Sequence, residues 1–253
     1  MHSISALVLT YNEEDYIENC LKSIKWVDEI VVIDSYSDDR TTEIAEKYTD
    51  KIYKRKFDNF SSQRNYGLDK MQGDWVLVVD ADERITPELQ KEILDKIKDN
   101  PGIAYRVPRK NYFLGKWIKY CGWYPDYTLR LFQNKYRYSG RVHENLEIND
   151  EIKDLDNPLI HLTYKNLEHY LSKINHYTSL SAEDMYHSGK STSLFYVIVR
   201  PLFEFIEKGI FQKGLLLGGP GILLSILSSY YKFLKYAKLW EKNNVNRGQI
   251  INE

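Results

Sequence analysis

An apolar run, Trp75-Val76-Leu77-Val78-Val79, leads straight into Asp80-Ala81-Asp82. A buried strand that ends on two carboxylates one residue apart sets both on the same side of an extended chain. Hard divalent cations take oxygen ligands, and Mg²⁺ commonly takes one or two protein carboxylates plus substrate phosphates. The segment therefore suits a metal that in turn holds a diphosphate. The competing reading is a strand followed by a solvated acidic turn.

Positioning such a pair needs a rigid sheet, and the first hundred residues supply its pattern. Strands are predicted at Ile4–Thr10, Glu29–Asp34, residues 51–55 and Trp75–Asp80. Helices are predicted over residues 14–25, 41–48 and 61–71. A further helix opens at Thr86-Pro87-Glu88, with Thr as cap, Pro in the first turn and an acid at the positive end of the dipole. Alternating units of this kind form a mostly parallel sheet covered by helices, which binds ligands beyond the carboxyl ends of its strands. Three strand ends carry polar clusters: Thr10-Tyr11-Asn12-Glu13, Asp34-Ser35-Tyr36-Ser37-Asp38-Asp39 and Asp80-Ala81-Asp82. Neither G-x-G-x-x-G nor G-x-x-x-x-G-K follows the first strand, which disfavours a dinucleotide oxidoreductase, a P-loop enzyme or a nucleotidyltransferase.

Composition narrows the classes further. The 253 residues are 28% charged and 43% hydrophobic, a globular balance, and the net charge of -1 gives no case for a nucleic-acid partner. Cys20 and Cys121 are the only cysteines, too few for a disulfide framework, so a reducing compartment is the simpler expectation. The start of the chain lacks the basic-then-apolar layout of a secretory signal.

Four segments carry a resemblance: residues 7–14 (Leu-Val-Leu-Thr-Tyr-Asn-Glu-Glu), residues 31–35 (Val-Val-Ile-Asp-Ser), residues 63–67 (Gln-Arg-Asn-Tyr-Gly) and residues 80–83 (Asp-Ala-Asp-Glu). Together they resemble the inverting family-2 glycosyltransferases of the GT-A fold. Residues 140–144 (Gly-Arg-Val-His-Glu) and 161–164 (His-Leu-Thr-Tyr) resemble the branch of bacterial lipopolysaccharide-core β-glucosyltransferases. The resemblance implies a Rossmann-like α/β domain over residues 1–165 with a C-terminal helical appendage over residues 166–253. It implies a nucleotide-sugar donor, a UDP-sugar first, a glycan or glycolipid acceptor, and Mn²⁺ or Mg²⁺ as cofactor. Thr10, Tyr11, Asn12 and Glu13 would border base and ribose, with Asp34 beside them. Arg64 would lie near the nucleotide or diphosphate, and Asp80-Ala81-Asp82 would face donor, with Asp80 toward ribose or metal-bound water and Asp82 on the metal. Tyr36 and Arg40 stand where the family often has glycine, so that turn must form without glycine's freedom.

Transfer to a hydroxyl needs a general base, and the resemblance points to Glu144, with His143 orienting it or the acceptor. Asp126 is the rival base, in Trp123-Tyr124-Pro125-Asp126, where Trp123 offers an aromatic face to a sugar. His161 follows an apolar pair and is a candidate metal ligand, since neutral imidazole suits Mn²⁺. Arg130 would pair with a phosphate or serve as a structural ion-pair partner. The alternative from another class is a non-catalytic nucleotide-sugar or glycan-binding protein on the same fold.

The last third changes character. Residues 166–189 read as one helix. Residues 190–242 hold eight Lys or Arg against three acids, a local excess of +5 that suggests an anionic surface as partner. Residues 214–231 are uncharged, but Gly218-Gly219-Pro220-Gly221 breaks them into two helices joined by a turn rather than one membrane span. In the second, Ile222, Leu223, Ile226, Leu227, Tyr230, Phe233, Leu234 and Ala237 form an apolar stripe beside Lys232, Lys235, Lys238 and Lys242, the layout of an interfacial helix. Packing on the catalytic domain or a homodimer interface is the alternative use. The expected location is cytoplasmic and peripheral, at the inner face of the cell membrane.

Overall fold

The protein is described from a computed structural model covering residues 2–99, 103–140 and 145–245. Its strands are β1 (Ile4–Thr10), β2 (Glu29–Asp34), β3 (Ile52–Lys54), β4 (Trp75–Asp80), β5 (Glu83–Arg84), β6 (Ile103–Phe113), β7 (Lys116–Trp117), β8 (Tyr127–Gln133), β9 (Tyr138–Ser139), β10 (Asn145–Leu146), β11 (Glu151–Asp154) and β12 (Leu159–Leu162). The helices are α1 (Ile17–Ser23), α2 (Thr41–Ala45), α3 (Phe60–Leu68), α4 (Pro87–Asp99), α5 (Leu167–His187), α6 (Leu194–Ile206) and α7 (Gly219–Asn244). The chain divides into two compact units, Met1–Lys110 with Pro125–Leu162, and Asn111–Tyr124 with Thr163–Glu253. Residues 111–124, which the sequence groups with the first domain, belong to the second unit.

The first unit is built on a mixed sheet in the order β3-β2-β1-β4-β8-β6-β12-β5. Strands β3, β2, β1 and β4 are parallel, and β8 enters antiparallel against β4. Both faces of the parallel part are covered, so its strands are apolar at every position rather than at alternate ones. Ala6, Val8, Val32, Leu77 and Val79 face one core with α1 and α4. Leu7, Val31, Ile33, Val76 and Val78 face the other with Leu68 and Met71. Gly67 in α3 lies so close to β1 that a Cβ there would sit 2.3 Å from Leu7 Cδ1.

Three of the four predicted strands have the expected bounds. The first helix starts later than its periodicity suggests, at Ile17. Residues 12–14 are held instead by the loop after β2: the Asn12, Glu13 and Glu14 amides donate to Ser37 Oγ (2.9 Å), Thr41 Oγ1 (2.8 Å) and Asp39 Oδ2 (3.1 Å). These residues form the turn ahead of α1, which the Tyr16 and Ile17 amides close by donating to the Glu13 carbonyl. The α4 start is as expected, with the Leu89 amide donating to Thr86 Oγ1 at 3.2 Å.

The second unit packs Phe113, Ile118, Cys121, Tyr170 and Ile174 around Leu217, Leu224 and Leu227. Helix α5 is capped by Asn166, whose Oδ1 accepts from the His169 amide. The expected pair of helices around Gly218 is corrected: residues Gly214–Leu217 form a single 3-10 turn, and only α7 is a full helix. The reason is a close backbone approach, since a Cβ on Gly221 would meet the Gly214 carbonyl oxygen at 1.9 Å. The stripe on α7 is also divided: Leu227 is buried, whereas Ile222, Ile226, Tyr230 and Phe233 are exposed. Helix α6, followed by a π-helical turn at Glu207–Phe211, has no counterpart in the sequence reading. Among the described residues no helix is long and apolar enough to cross a membrane.

Candidate active site

Parallel strands deliver the first two polar clusters to one rim, where they bind each other. The Ser35 amide donates to the Thr10 carbonyl at 3.0 Å, and the Asp38 amide to Asn12 Oδ1 at 3.0 Å. Buried Asp34 accepts from the Ser37 amide at 3.0 Å and from the Ser37 hydroxyl at 2.5 Å. The Glu13 carbonyl accepts from the Tyr16 and Ile17 amides, closing the turn into α1. Tyr36 adopts φ 64° and Asn12 φ 54°, left-handed backbone that costs a Tyr more than a Gly. The turn that lacks its family glycine thus takes the glycine conformation anyway, held by the Asp34–Ser37 bonds. Tyr11 and Tyr36 leave their rings exposed at this rim. Among the described residues Thr10 Oγ1 is buried without a hydrogen-bond partner, which marks a polar atom for a ligand to satisfy.

The third cluster is an ion network. Arg130 on β8 is buried, and its Nη2 donates to Asp80 Oδ2 and to Glu83 Oε1, each at 2.6 Å. Arg64 of α3 brings Nη2 within 3.6 Å of Asp80 Oδ1, between the rings of Phe60 and Tyr138. Glu83 is wholly buried and also accepts from the Asp80 amide at 3.0 Å. Arg109 Nη1 stands 3.9 Å from Glu83, while its Nε and Nη2 donate to Asp126 Oδ2 at 3.0 and 2.6 Å. Burial opposes a charged Asp80, yet the Arg130 and Arg64 guanidiniums override it and hold the carboxyl well below the usual carboxylate range. For Glu83 burial wins, helped by the Asp80 charge and opposed by Arg130, and its carboxyl titrates above the usual range.

Asp82 pairs with His161 beside this network, and both act electrostatically on Glu83. The β5–β12 pairing sets His161 opposite Glu83, and the Leu162 amide donates to the Asp82 carbonyl at 3.0 Å. His161 Nε2 consequently lies 3.5 Å from Asp82 Oδ2, both side chains being largely shielded but not sealed. Ala81 between the two aspartates is buried, and its carbonyl accepts from Arg84 Nη1 at 3.1 Å.

The predicted residues thus fall into three groups. Asp82 and His161 come together. Asp80, Arg64 and Arg130 come together as an ion network, so of the two uses open to Arg130 the structure displays the ion pair. Asp126 is tied to Arg109. Trp123 belongs to the second unit, where its carbonyl accepts from Asn111 Nδ2 at 3.1 Å and its ring meets Phe113 edge-on. His143 and Glu144 lie outside the described residues. Sequence reasoning gave no role to Glu83 or Arg109. The available signal was three carboxylates within residues 80–83, which cannot approach a core without cations.

Among the described residues no three His, Cys, Asp or Glu side chains gather around one point. A divalent ion here would have the Asp82 carboxylate and the His161 imidazole from the protein and take its remaining ligands from elsewhere. That donor set fits a cation shared with a diphosphate.

A mostly parallel sheet with polar clusters along one rim and an acidic strand end is the architecture of the GT-A class of glycosyltransferases. Residues 5–150 match the family model described as glycosyl transferase family 2, and the chain belongs to that family. An uncharacterized glycosyltransferase of Rickettsia typhi is 25% identical over 268 residues, covering 100% of this chain and 92% of its own. The lipopolysaccharide core biosynthesis glycosyltransferase LpsC of Rhizobium meliloti is 26% identical over 260 residues, covering 95% of this chain and 93% of LpsC. Among solved structures, Staphylococcus aureus TarS 1–349 in complex with UDP superposes with a TM-score of 0.49 at 17% identity, covering 98% of this chain and 92% of TarS.

Proposed function

We propose that this chain is a metal-dependent, inverting glycosyltransferase that moves a sugar from a nucleoside diphosphate sugar, UDP first, to a glycan or glycolipid acceptor of the bacterial cell surface. The carrying observation is the pairing of Asp82 and His161, 3.5 Å apart beside the arginine-held Asp80. Asp82 and His161 would hold Mn²⁺ or Mg²⁺, and such an ion supplies charge stabilisation to a departing diphosphate worth several kcal/mol. Asp80, fixed by two arginines, stays ionised and turns a rigid carboxylate toward the donor rim. Thr10 Oγ1 offers its unused hydroxyl to the nucleoside. Inversion needs one base to take the acceptor proton, and Glu144 is assigned that role with Asp126 as rival. The ion pair to Arg109 occupies the Asp126 carboxylate, which favours Glu144.

The lipopolysaccharide-core role in LpsC's name supports a membrane-held acceptor of that kind. So does the basic excess of residues 190–242, which suits peripheral attachment at the inner face of the membrane. The test is nucleotide release from a panel of sugar nucleotides with Mn²⁺ or Mg²⁺, with and without chelator. Metal-linked release from a UDP-sugar is expected; no release from any donor with either ion refutes the assignment.

A further inference from the structure

Helix α6 turns apolar side chains outward. Its outward positions, Leu194, Phe195, Ile198, Val199, Leu202, Phe203 and Ile206, recur at helical spacing and are all exposed. Phe195 is 75% exposed and Phe203 54%. Its inward positions mix apolar and charged groups, with Val197, Pro201 and Glu204 buried. Glu204 is buried, paired to Arg200 Nη2 at 2.9 Å and approached by Lys232 Nζ of α7 at 3.8 Å. Ser229 of α7 donates to the Pro201 carbonyl at 2.7 Å. The helix is therefore held to α7 by polar bonds and by the Tyr196–Tyr236 ring contact, and presents a wide apolar stripe outward. Ile210 and Phe211 of the π-helical turn and Leu216 of the 3-10 turn that follow are exposed as well, the last two 71% and 73%. Water does not favour such a face, and a large exposed apolar surface on a protein marks what it docks on.

We propose that this outward face of α6, with the turns that follow it, seats the chain in the plane of an anionic lipid surface. The proposal rests on the reading of a membrane-held acceptor for its setting. Thirteen residues of helix reach about 20 Å, too short to cross a bilayer, so the helix lies in the interface. Charge selects the partner. Glu204 faces inward into its ion pairs, and Glu207 accepts from Gln212 Nε2 and stands 4.0 Å from Arg200. Exposed Lys190 and Lys213 bracket the face in sequence. These two exposed lysines are the cations available to anionic headgroups, at about 1 kcal/mol per Lys or Arg near the surface. A second copy docked through the same patch would bring the cations of both against one another.

The test is co-sedimentation of the full chain with vesicles of phosphatidylcholine mixed equally with phosphatidylglycerol, against vesicles of phosphatidylcholine alone. The wild type is expected to bind the anionic vesicles, and the L202Q/F203Q double variant to bind them about tenfold or more weakly. Because both side chains are exposed, the variant should keep the wild-type melting temperature and rate of nucleotide release from the donor. Variant binding equal to wild type overturns the proposal. So does a wild type that ignores both vesicles, and a dimer in ultracentrifugation that the double variant splits would then assign the face to a second copy. A wild type that binds anionic vesicles but releases no nucleotide from any donor leaves the lipid seat standing and defeats the transferase reading.

Discussion

Replacing Arg130 with Met removes the cation from two carboxylates at once. Its Nη2 makes both 2.6 Å contacts, one to wholly buried Glu83 and one to Asp80, a third of whose side chain is exposed. Breaking a buried ion pair from one side costs about 3–5 kcal/mol, because the charge left behind is uncompensated. Two neighbours soften this loss: Arg109 at 3.9 Å from Glu83 and Arg64 at 3.6 Å from Asp80. The expected cost is therefore near the lower figure, about 3 kcal/mol, or a fall in Tm of roughly 6–12 °C for a protein of this size. The deficit should also depend on pH. Glu83 already titrates high, and without Arg130 it rises further, so the folded variant binds a proton that the unfolded chain releases. Stability of the variant then falls as pH rises through the interval between the ordinary glutamate pKa and the raised folded one, and the gap to wild type widens. Thermal melts of both proteins at mildly acid and mildly alkaline pH measure this. Arg130→Lys should lie between them, since one ammonium lacks the planar fork that spans both carboxylates. A Tm for the Met variant within about 2 °C of wild type at both pH values would refute the reasoning.

Asp82→Asn should keep the wild-type Tm yet abolish Mn²⁺-linked donor affinity in calorimetry, because Asp82 lies outside the Arg130 network; undiminished affinity removes it as a ligand. Glu144→Gln should bind donor as wild type does while kcat falls on the order of 10²–10⁴-fold. Retained turnover, with loss in Asp126→Asn instead, moves the base to Asp126. Gly67→Ala should destabilise the chain by about 1–3 kcal/mol in urea melts, since its new methyl would meet Leu7 Cδ1 at 2.3 Å; an unchanged midpoint would mean that α3 slides freely on β1.

Much of the first unit was legible because burial and period agree there. Ile4–Thr10, Glu29–Asp34 and Trp75–Asp80 are apolar throughout and punctuated by polar ends, a pattern with few alternatives. The start of α1 was not legible, because hydrogen bonds to Ser37, Thr41 and Asp39 come from another loop. The Asp82–His161 pair was anticipated through family resemblance, although only the β5–β12 ladder brings those positions together. Glu83, Arg109 and Arg130 form contacts across 17 to 50 positions, and no local pattern encodes which arginine meets which acid. The stripe on α6 has the period of any core helix, and spacing alone does not tell which side of it meets a neighbour. The buried Glu204–Arg200 pair reveals this only in three dimensions.

The strand order bears on how the chain survives its own synthesis. The outer edge of β4 is closed by β8, with Trp75 opposite Gln133 and Leu77 opposite Leu131. A nascent chain that has emerged only as far as α4 therefore carries four parallel strands with the apolar edge of β4 open, the kind of border that recruits strands from other chains. Translation must add some fifty residues beyond that strand before the border can be sealed, so a ribosome stalled in this interval would leave an intermediate prone to aggregate.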